Sequence, residues 1–484
     1  MKPLKVLSIV MTVIVAPVAC KGESIYLNLT DSSRKARAVH QYMLELYKRQ
    51  QFTGSILVAE HGKVIYQNAF CMADRENQRT FLTSTPSYIG SLSKSFTAMA
   101  IMILKDKGKL EYDMPIRKYF PDLPPCTQSI TILHLLHHTS GLAVFDDFPD
   151  MTEQDVFKIL CQQQTLRFTP GEKFEYCNAG YTLLGMLIAK LSVSTLHEFF
   201  QDYIFRPLQM NRTSLNEIQK RNTFRAVGYD VYGTENNYDT FIGGSASIIS
   251  TADDLFKWDQ ALYNDKLVKP STLKDAFEPS SHVLHDDVYG DKSYGFGWWI
   301  GEFHGERSFF HDGAFGGFRA YLERFPASKN TIIHISNLRH NLSLEMWTAL
   351  VNILDDKSFT LPKISVSSWM YQQIQQRGIS DAINAYEKIK ASPHVSEYLF
   401  NESELNRLGY YLLRANRMQD AIDIFRLNVL EYPTSGNVHD SLGEAYLKSG
   451  NKQLALVSYR RSLVLDPQNY NAAQMIRELE NDRD

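Results

Sequence analysis

The stretch GSLSKSFTAMAIMILKDKG, Gly90–Gly108, decides how the chain is read. Between Phe96 and Leu104 nearly every residue is apolar, the mark of a buried helix, and Gly108 supplies its stop. Ser91 and Lys94 stand three residues apart at the head of that helix, so their side chains share one face. A hydroxyl one turn before an amine is what a serine nucleophile needs when its base is a lysine. The positive end of the helix dipole favours a negative charge developing there. The same residues also read as a serine cap followed by a solvated lysine. As a base, Lys94 must give up a proton held with a reference pKa of about 10.4; burial or a second cation such as His311 would favour that. The spacing alone is unspecific, since Ser32/Lys35, Ser271/Lys274 and Ser449/Lys452 repeat it.

What singles out Ser91 is the order of elements that follow it. Tyr176-Cys177-Asn178 precedes an apolar helix over Tyr181–Leu191, and His311-Asp312-Gly313-Ala314 lies in a strand-like region further on. Tyr176 suits a phenolic proton shuttle and Asn178, two residues along an extended segment, a contact to a substrate amide. Beside Phe174 and Tyr181, Tyr176 reads equally as a core ring. His311 would supply a donor or a cation near a substrate carboxylate. On an edge strand, Gly313 would let a substrate backbone approach, and the amide beyond it could face an oxyanion. A plain glycine turn is the alternative.

Working outward, Ser33–Gln50 predicts an amphipathic helix. Gly54–Ala59 and Lys63–Tyr66 are β-rich runs around His61-Gly62, a hairpin signal. Ile130–Leu142 reads as a short helix, and Tyr294–Trp299, Phe318–Phe325 and Thr331–Ser336 as strands. Strands at both ends with helices between predict an α/β sandwich plus a helical subdomain, with one sheet joining the two ends of this region.

Taken together, Ser91-Leu92-Ser93-Lys94, Tyr176-Cys177-Asn178 and His311-Asp312-Gly313 resemble the serine β-lactamase/penicillin-binding superfamily, in its class C β-lactamase-like branch. Leu135–Leu142, Phe205–Met210, Gly243-Gly244, Thr251–Leu255 and Tyr294–Trp298 resemble the same family, and the likeness covers roughly residues 35–355. It implies a β-lactamase/transpeptidase-like fold, Ser91 as the acylated nucleophile, and Lys94 and Tyr176 as proton-transfer groups. Asn178, His311, Gly313 and Ala314 become substrate-binding positions, with the amides of Ser91 and Ala314 as the oxyanion hole. No cofactor or metal is implied. Histidine and aspartate at 311 and 312, where β-lactamases of this branch carry lysine and Thr or Ser, look more like D-peptidase and esterase members. Cys177 stands in place of the family's common serine.

After about residue 355 the pattern changes. Leu408-Gly409, Ala421, Phe425 and Pro433 recur 34 residues later as Leu442-Gly443, Ala455, Tyr459 and Pro467, the period of tetratricopeptide helix pairs. Ser380–Ile383 resembles Gln419–Ile422 at a different offset, a degenerate third unit. At the other end, Lys2 and Lys5 precede the apolar run Val6–Ala19, which reads as a secretory signal over residues 1–20. Cys20 directly after it suits lipid attachment and hence a membrane tether, while Pro17 keeps plain secretion open. The expected division is a hydrolase domain over 33–355, a helical linker or degenerate repeat over 356–402, and repeats over 403–478.

A net charge of −3 without a basic run excludes a nucleic-acid partner. The scattered cysteines show no metal spacing; export would permit a disulfide that the sequence cannot reveal. His134, His137 and His138, followed by Asp146 and Asp147, are a weak metal alternative. The expected protein is an exported serine hydrolase, periplasmic, membrane-anchored or secreted. It would form an acyl-enzyme on Ser91 and hydrolyse D-amino-acid-containing peptides or small esters, in the manner of a D-alanyl-D-alanine carboxypeptidase or esterase. The repeats would bind a protein or peptide partner. A β-lactamase, and a catalytically weak penicillin-binding sensor or scaffold, are the alternatives.

Overall fold

The computed structural model describes residues 33–144, 151–215, 224–238, 241–286, 289–339 and 343–481. The signal segment with Cys20, and Asp146 and Asp147, lie outside them. Two compact units form: one holds residues up to Asp230, Thr234–Ser343 and Leu350–Ser358, the other Val231–Gly233, Leu344–Ala349 and the chain from Phe359.

The first unit is built on an eight-stranded antiparallel sheet. Its strands are β1 (Gly54–Glu60), β2 (Lys63–Phe70), β3 (Leu284–Asp286), β4 (Gly290–Tyr294), β5 (Trp299–Phe303), β6 (Glu306–Phe315), β7 (Phe318–Phe325) and β8 (Asn330–Ser336), in the order β2-β1-β8-β7-β6-β5-β4-β3. His61 and Gly62 both have positive φ, at 52° and 75°, so the β1–β2 hairpin takes the mirror-image turn that matches strand twist. Gly54–Ala59 pairs with Thr331–Ser336, which is how one sheet joins the two ends of this region.

Helix α1 (Arg34–Lys48) buries Ala36, Val39, Tyr42, Met43 and Leu46, and its His40 meets Tyr66 of β2 at 3.2 Å. Helix α2 (Ser93–Asp106) is buried from Ser93 to Leu104 on every side, so its sequence carries no polar stripe. It packs against α3 (Asn178–Ser192), the central helix of a subdomain that includes Ile132–Leu136 and Glu153–Gln162. Helix α4 (Ala252–Ala261) packs on β1 and β8. Its buried Asp259 accepts hydrogen bonds from Arg324 Nε at 2.7 Å and Thr331 Oγ1 at 2.8 Å, which satisfies a carboxylate shut away from water.

Several local expectations are corrected. His311 lies on an interior strand, not an edge, because β5 pairs with the outer side of β6. Tyr294–Trp299 is a turn between β4 and β5, made by Gly297 at φ 75°. Asn178 opens α3 instead of lying on an extended segment, with Cys177 as the capping position. The expected helix Ile130–Leu142 is confined to Ile132–Leu136, since Gly141 (φ 71°) and His138 (φ 58°) turn the chain away. Cys126, Cys161 and Cys177 are free thiols.

The second unit is helical. Helices Glu402–Arg414, Gly436–Lys448 and Tyr470–Asn481 begin 34 residues apart, as do their partners Met418–Glu431 and Lys452–Leu465. Two further helices, Val366–Arg377 and Ile379–Lys390, precede them, and Ser380–Ile383 lies in the second. Gly409 is needed where Phe425 packs: an added Cβ would sit 2.5 Å from that ring. Gly443 stands in the same relation to Tyr459, at 2.9 Å.

Candidate active site

Ser91 occupies a short 3-10 turn, Gly90–Leu92, that leads into α2. Gly90 adopts φ 52°, a conformation that favours glycine, and a Cβ there would meet Ala314 N at 2.6 Å. From the other side, a Cβ on Gly313 would lie 1.8 Å from Ile89 O and 3.2 Å from Ser91 N. Two glycines thus let β6 run against the Ser91 turn, backbone to backbone. This contact brings the Ser91 and Ala314 amides into one small region.

Lys94 is fully buried, with its Nζ in a cage of three acceptors: Asn178 Oδ1 at 2.7 Å, Ser245 O at 3.0 Å and Ser91 Oγ at 3.0 Å. A carbonyl and an amide oxygen can only accept. They therefore hold two N–H bonds and leave the third position of Nζ turned toward Ser91. In the neutral amine that position is a lone pair, ready to take the serine proton. Burial pulls the Lys94 pKa down to about 7, although Asp312 and Cys177 act in the opposite direction.

The cage is assembled from distant pieces. Ser245 comes from the 3-10 turn Gly243–Ser245, which Thr182 of α3 holds through Ile242 O at 3.0 Å and Ser245 Oγ at 3.2 Å. Thr97 of α2 donates to Gly244 O at 2.7 Å. A Cβ on Gly244 would lie 2.8 Å from Tyr181 O, so only glycine lets this turn approach α3. Gly297 packs equally closely on the backbone of Lys94 and Ser95.

Tyr176 places its ring 4.8 Å from Lys94 Nζ. Its hydroxyl is shielded and makes no hydrogen bond of standard geometry, yet lies near enough for the Ser91 hydroxyl to act on it. Burial nevertheless holds the phenol well above its ordinary pKa, so it is protonated. The His138 ring is 4.3 Å from that of Tyr176. His138 Nδ1 accepts the Cys177 amide at 3.0 Å, so its hydrogen sits on Nε2, and burial and the Lys94 charge keep the ring neutral. His138 thus fixes the Tyr176–Asn178 segment. Its neighbour His134 instead caps its own helix through Thr131. Among the described residues no group of His, Cys, Asp and Glu is placed to hold a metal ion.

The carboxylate-binding role expected of His311 is corrected. Its Nδ1 lies 2.6 Å from Asp312 O, which can only accept, and its Nε2 is 2.9 Å from the Tyr294 hydroxyl. Both ring nitrogens are engaged within the protein, and burial lowers the pKa to about 4. The ring is neutral and sealed. Asp312, the next residue, is exposed.

Ser91, Asn178 and the Tyr176 ring therefore surround the Lys94 amine, the Gly313–Ala314 backbone lies against the Ser91 turn, and the His311 ring is 6.2 Å from that of Tyr176. Motif reading did not find Ser245, Tyr294 or the positioning role of His138. Gly243-Gly244 and Leu135–Leu142 carried the signal for two of them, because close-approach glycines and a buried histidine mark places where backbone meets site.

The Beta-lactamase family model matches residues 36–354. Penicillin-binding protein 4* of Bacillus subtilis (strain 168) is 30% identical over 347 residues, spanning 66% of this chain and 76% of that protein. The octameric penicillin-binding protein homologue from Pyrococcus abyssi superposes with a TM-score of 0.62 at 25% identity, covering 69% of this chain and 81% of that one. The D-amino acid amidase from Ochrobactrum anthropi SV3, complexed with L-phenylalanine amide, shares the fold at a TM-score of 0.57 and 21% identity, over 67% of this chain and 99% of its own. The match over most of the chain and the serine–lysine pair at the heart of the matched region agree: the chain belongs to the beta-lactamase family and carries the serine-hydrolase fold of the β-lactamase/penicillin-binding superfamily.

Proposed function

We propose that this protein is an exported serine hydrolase of the class C β-lactamase-like branch, working on amide or ester bonds through an acyl-enzyme on Ser91. The observation that carries it is the Lys94 cage, which turns a buried amine toward the Ser91 hydroxyl at 3.0 Å. In this mechanism Ser91 Oγ bonds to the substrate carbonyl carbon while its proton passes to neutral Lys94. The oxyanion is held by the amides of Ser91 and Ala314. Collapse breaks the bond to the leaving group, which takes a proton from Lys94 or Tyr176. Water then repeats the sequence and frees the acid.

Small D-amino-acid amides, peptides and esters are the favoured substrates. The D-amino acid amidase of related fold supports the first of these. The helical unit is proposed to be a tetratricopeptide array with Ser380–Ile383 in a degenerate unit, and to bind a peptide or protein partner. Its 34-residue helix spacing and the Gly409–Phe425 and Gly443–Tyr459 contacts support that. Export rests on residues 1–20, with Cys20 as a lipid attachment point or a first mature residue.

The test uses the mature full-length protein, a fluorophosphonate serine probe and a neutral nitrophenyl ester. One probe adduct by intact mass, lost together with esterase turnover in Ser91→Ala, is the expected result. Equal labelling and turnover in Ser91→Ala would overturn the assignment.

A further inference from the structure

The ion pair between α4 and β7 satisfies its acid but not its base. Asp259 takes Arg324 Nε at 2.7 Å and Thr331 Oγ1 at 2.8 Å. A guanidinium has five N–H donors and no acceptor. In Arg324, Nε closes a hydrogen bond of standard geometry, while Nη2 is shielded from solvent without a partner, on a side chain only 2% exposed. A buried donor left unmade is costly, so the position calls for an acceptor.

Arg324 forms part of the wall of a cavity of about 460 Å³. Leu273 and Phe277, from the helix Pro270–Asp275 and the chain just after it, give it apolar walls together with Phe309 of β6. The Phe277 and Phe309 rings lie 4.4 Å apart, centroid to centroid. Arg324 Cζ is 4.1 Å from the centre of the Tyr263 ring, which also lines the cavity, and 5.5 Å from that of Phe277. The Tyr263 hydroxyl is a second shielded group without a hydrogen bond of standard geometry, though near enough for Arg324 to act on it. Burial pushes this phenol up to about 12, so it keeps its proton to donate.

The inner wall thus offers N–H and O–H donors beside aromatic and aliphatic surface. Asp259 offsets the charge of Arg324. At the rim, exposed Lys274 pairs with Glu278 at 3.4 Å, and Asp265 is exposed. Selection therefore lies in the direction of the hydrogen bonds: the wall wants acceptors, and an ionised acceptor is bound most strongly.

We propose that this cavity is a ligand site for a small carboxylic acid with an aromatic or branched aliphatic tail. The carboxylate sits on the Arg324 fork and the Tyr263 hydroxyl, and the tail lies against Leu273, Phe277 and Phe309. The site shares no residue with the cage around Lys94 and does not depend on the reaction proposed for Ser91.

The experiment titrates the mature full-length protein by calorimetry with phenylacetate, phenylacetamide and phenethylamine, which match in tail and differ in head group. A charge-assisted hydrogen bond is roughly twice as strong as a neutral one, so the acid should bind about tenfold tighter than the amide. The amine should give no binding heat. Leu273→Trp fills the cavity without touching the ion pair and should abolish phenylacetate binding, with thermal unfolding showing that the variant is folded. Arg324→Lys keeps the charge but loses the fork, and should weaken phenylacetate by about tenfold. If the lysine variant fails to fold, the ranking of the three compounds and Leu273→Trp decide. Equal affinity for the three compounds, no phenylacetate binding up to about 10 mM, or unchanged binding in Leu273→Trp would each overturn the site.

Discussion

Gly313→Ala tests whether the strand truly abuts the nucleophile. The added methyl would lie 1.8 Å from Ile89 O, 2.8 Å from Ile89 C and 3.2 Å from Ser91 N. A carbon–oxygen contact normally rests at about 3.3 Å or more. The backbones must therefore part by roughly 1.5 Å, and the obstacle is main chain, which cannot rotate aside as a side chain would. Misplacement of a reacting group by about 1 Å costs on the order of 10²-fold in rate. Acylation of Ser91 should accordingly fall by about 10²- to 10³-fold, with overpacking lowering stability by about 1–3 kcal/mol. Both are measured on one preparation: adduct formation with a fluorophosphonate by intact mass, and thermal unfolding. Gly108→Ala is the control, since its methyl would meet nothing within 4 Å and its cost is only that of φ 66°. An acylation rate within threefold of the parent enzyme for Gly313→Ala would refute the backbone contact as the device that positions Ser91.

The rate of acylation should climb as pH rises through about 7, where Lys94 loses its proton, with no further ascending step between pH 5 and 6 from His311, whose pKa is about 4; a rise centred near 10 would contradict the Lys94 cage. Because the folded lysine has the depressed pKa, the unfolded chain binds the extra proton between about 7 and 10.5, so stability rises with pH over that window. Lys94→Met should remove that rise and all acylation, and a variant that still acylates would refute the base. Glu323 behaves in the opposite sense. Burial raises its carboxyl to about 8 from 4.5, so the folded state holds the extra proton and stability falls with pH in between, by up to about 1.4 kcal/mol per pH unit. Glu323→Gln should flatten that fall in urea unfolding across pH 5–8. In the helical unit, Gly409→Ala forces a methyl to 2.5 Å from Phe425, and a loss of about 1–3 kcal/mol in that unit's unfolding with Ser91 labelling unchanged is expected.

Much of the scaffold was legible because its signals are local. The unbroken apolar run of α2 has no polar face to give water, so it had to be a core helix, and Ser91 and Lys94 had to emerge together from it. His61-Gly62 between β-rich runs could only be a tight hairpin. Where neighbours decide, the sequence misled. An edge and an interior strand carry the same alternation, so nothing within His311–Ala314 announced that β5 would cover it. Tyr294–Trp299 looked like one strand because its aromatics are β-formers, and the two glycines that break it were read as strand residues.

The order and spacing of Ser91, Lys94, Tyr176, Asn178, His311 and Gly313, and the 34-residue C-terminal period, are properties of the sequence alone, since each depends on repeating or adjacent residue types. The electrostatic character of the site is a property of the tertiary structure. Lys94 is 84 positions from Asn178 and 151 from Ser245, and it becomes a base only where those two oxygens converge on it in the absence of water. Burial makes His311 neutral, and the Tyr294 hydroxyl and the Asp312 carbonyl engage both its nitrogens. Residue type sets what a group can donate or accept. Long-range packing sets which of those bonds are already spent, and so what is left for a substrate.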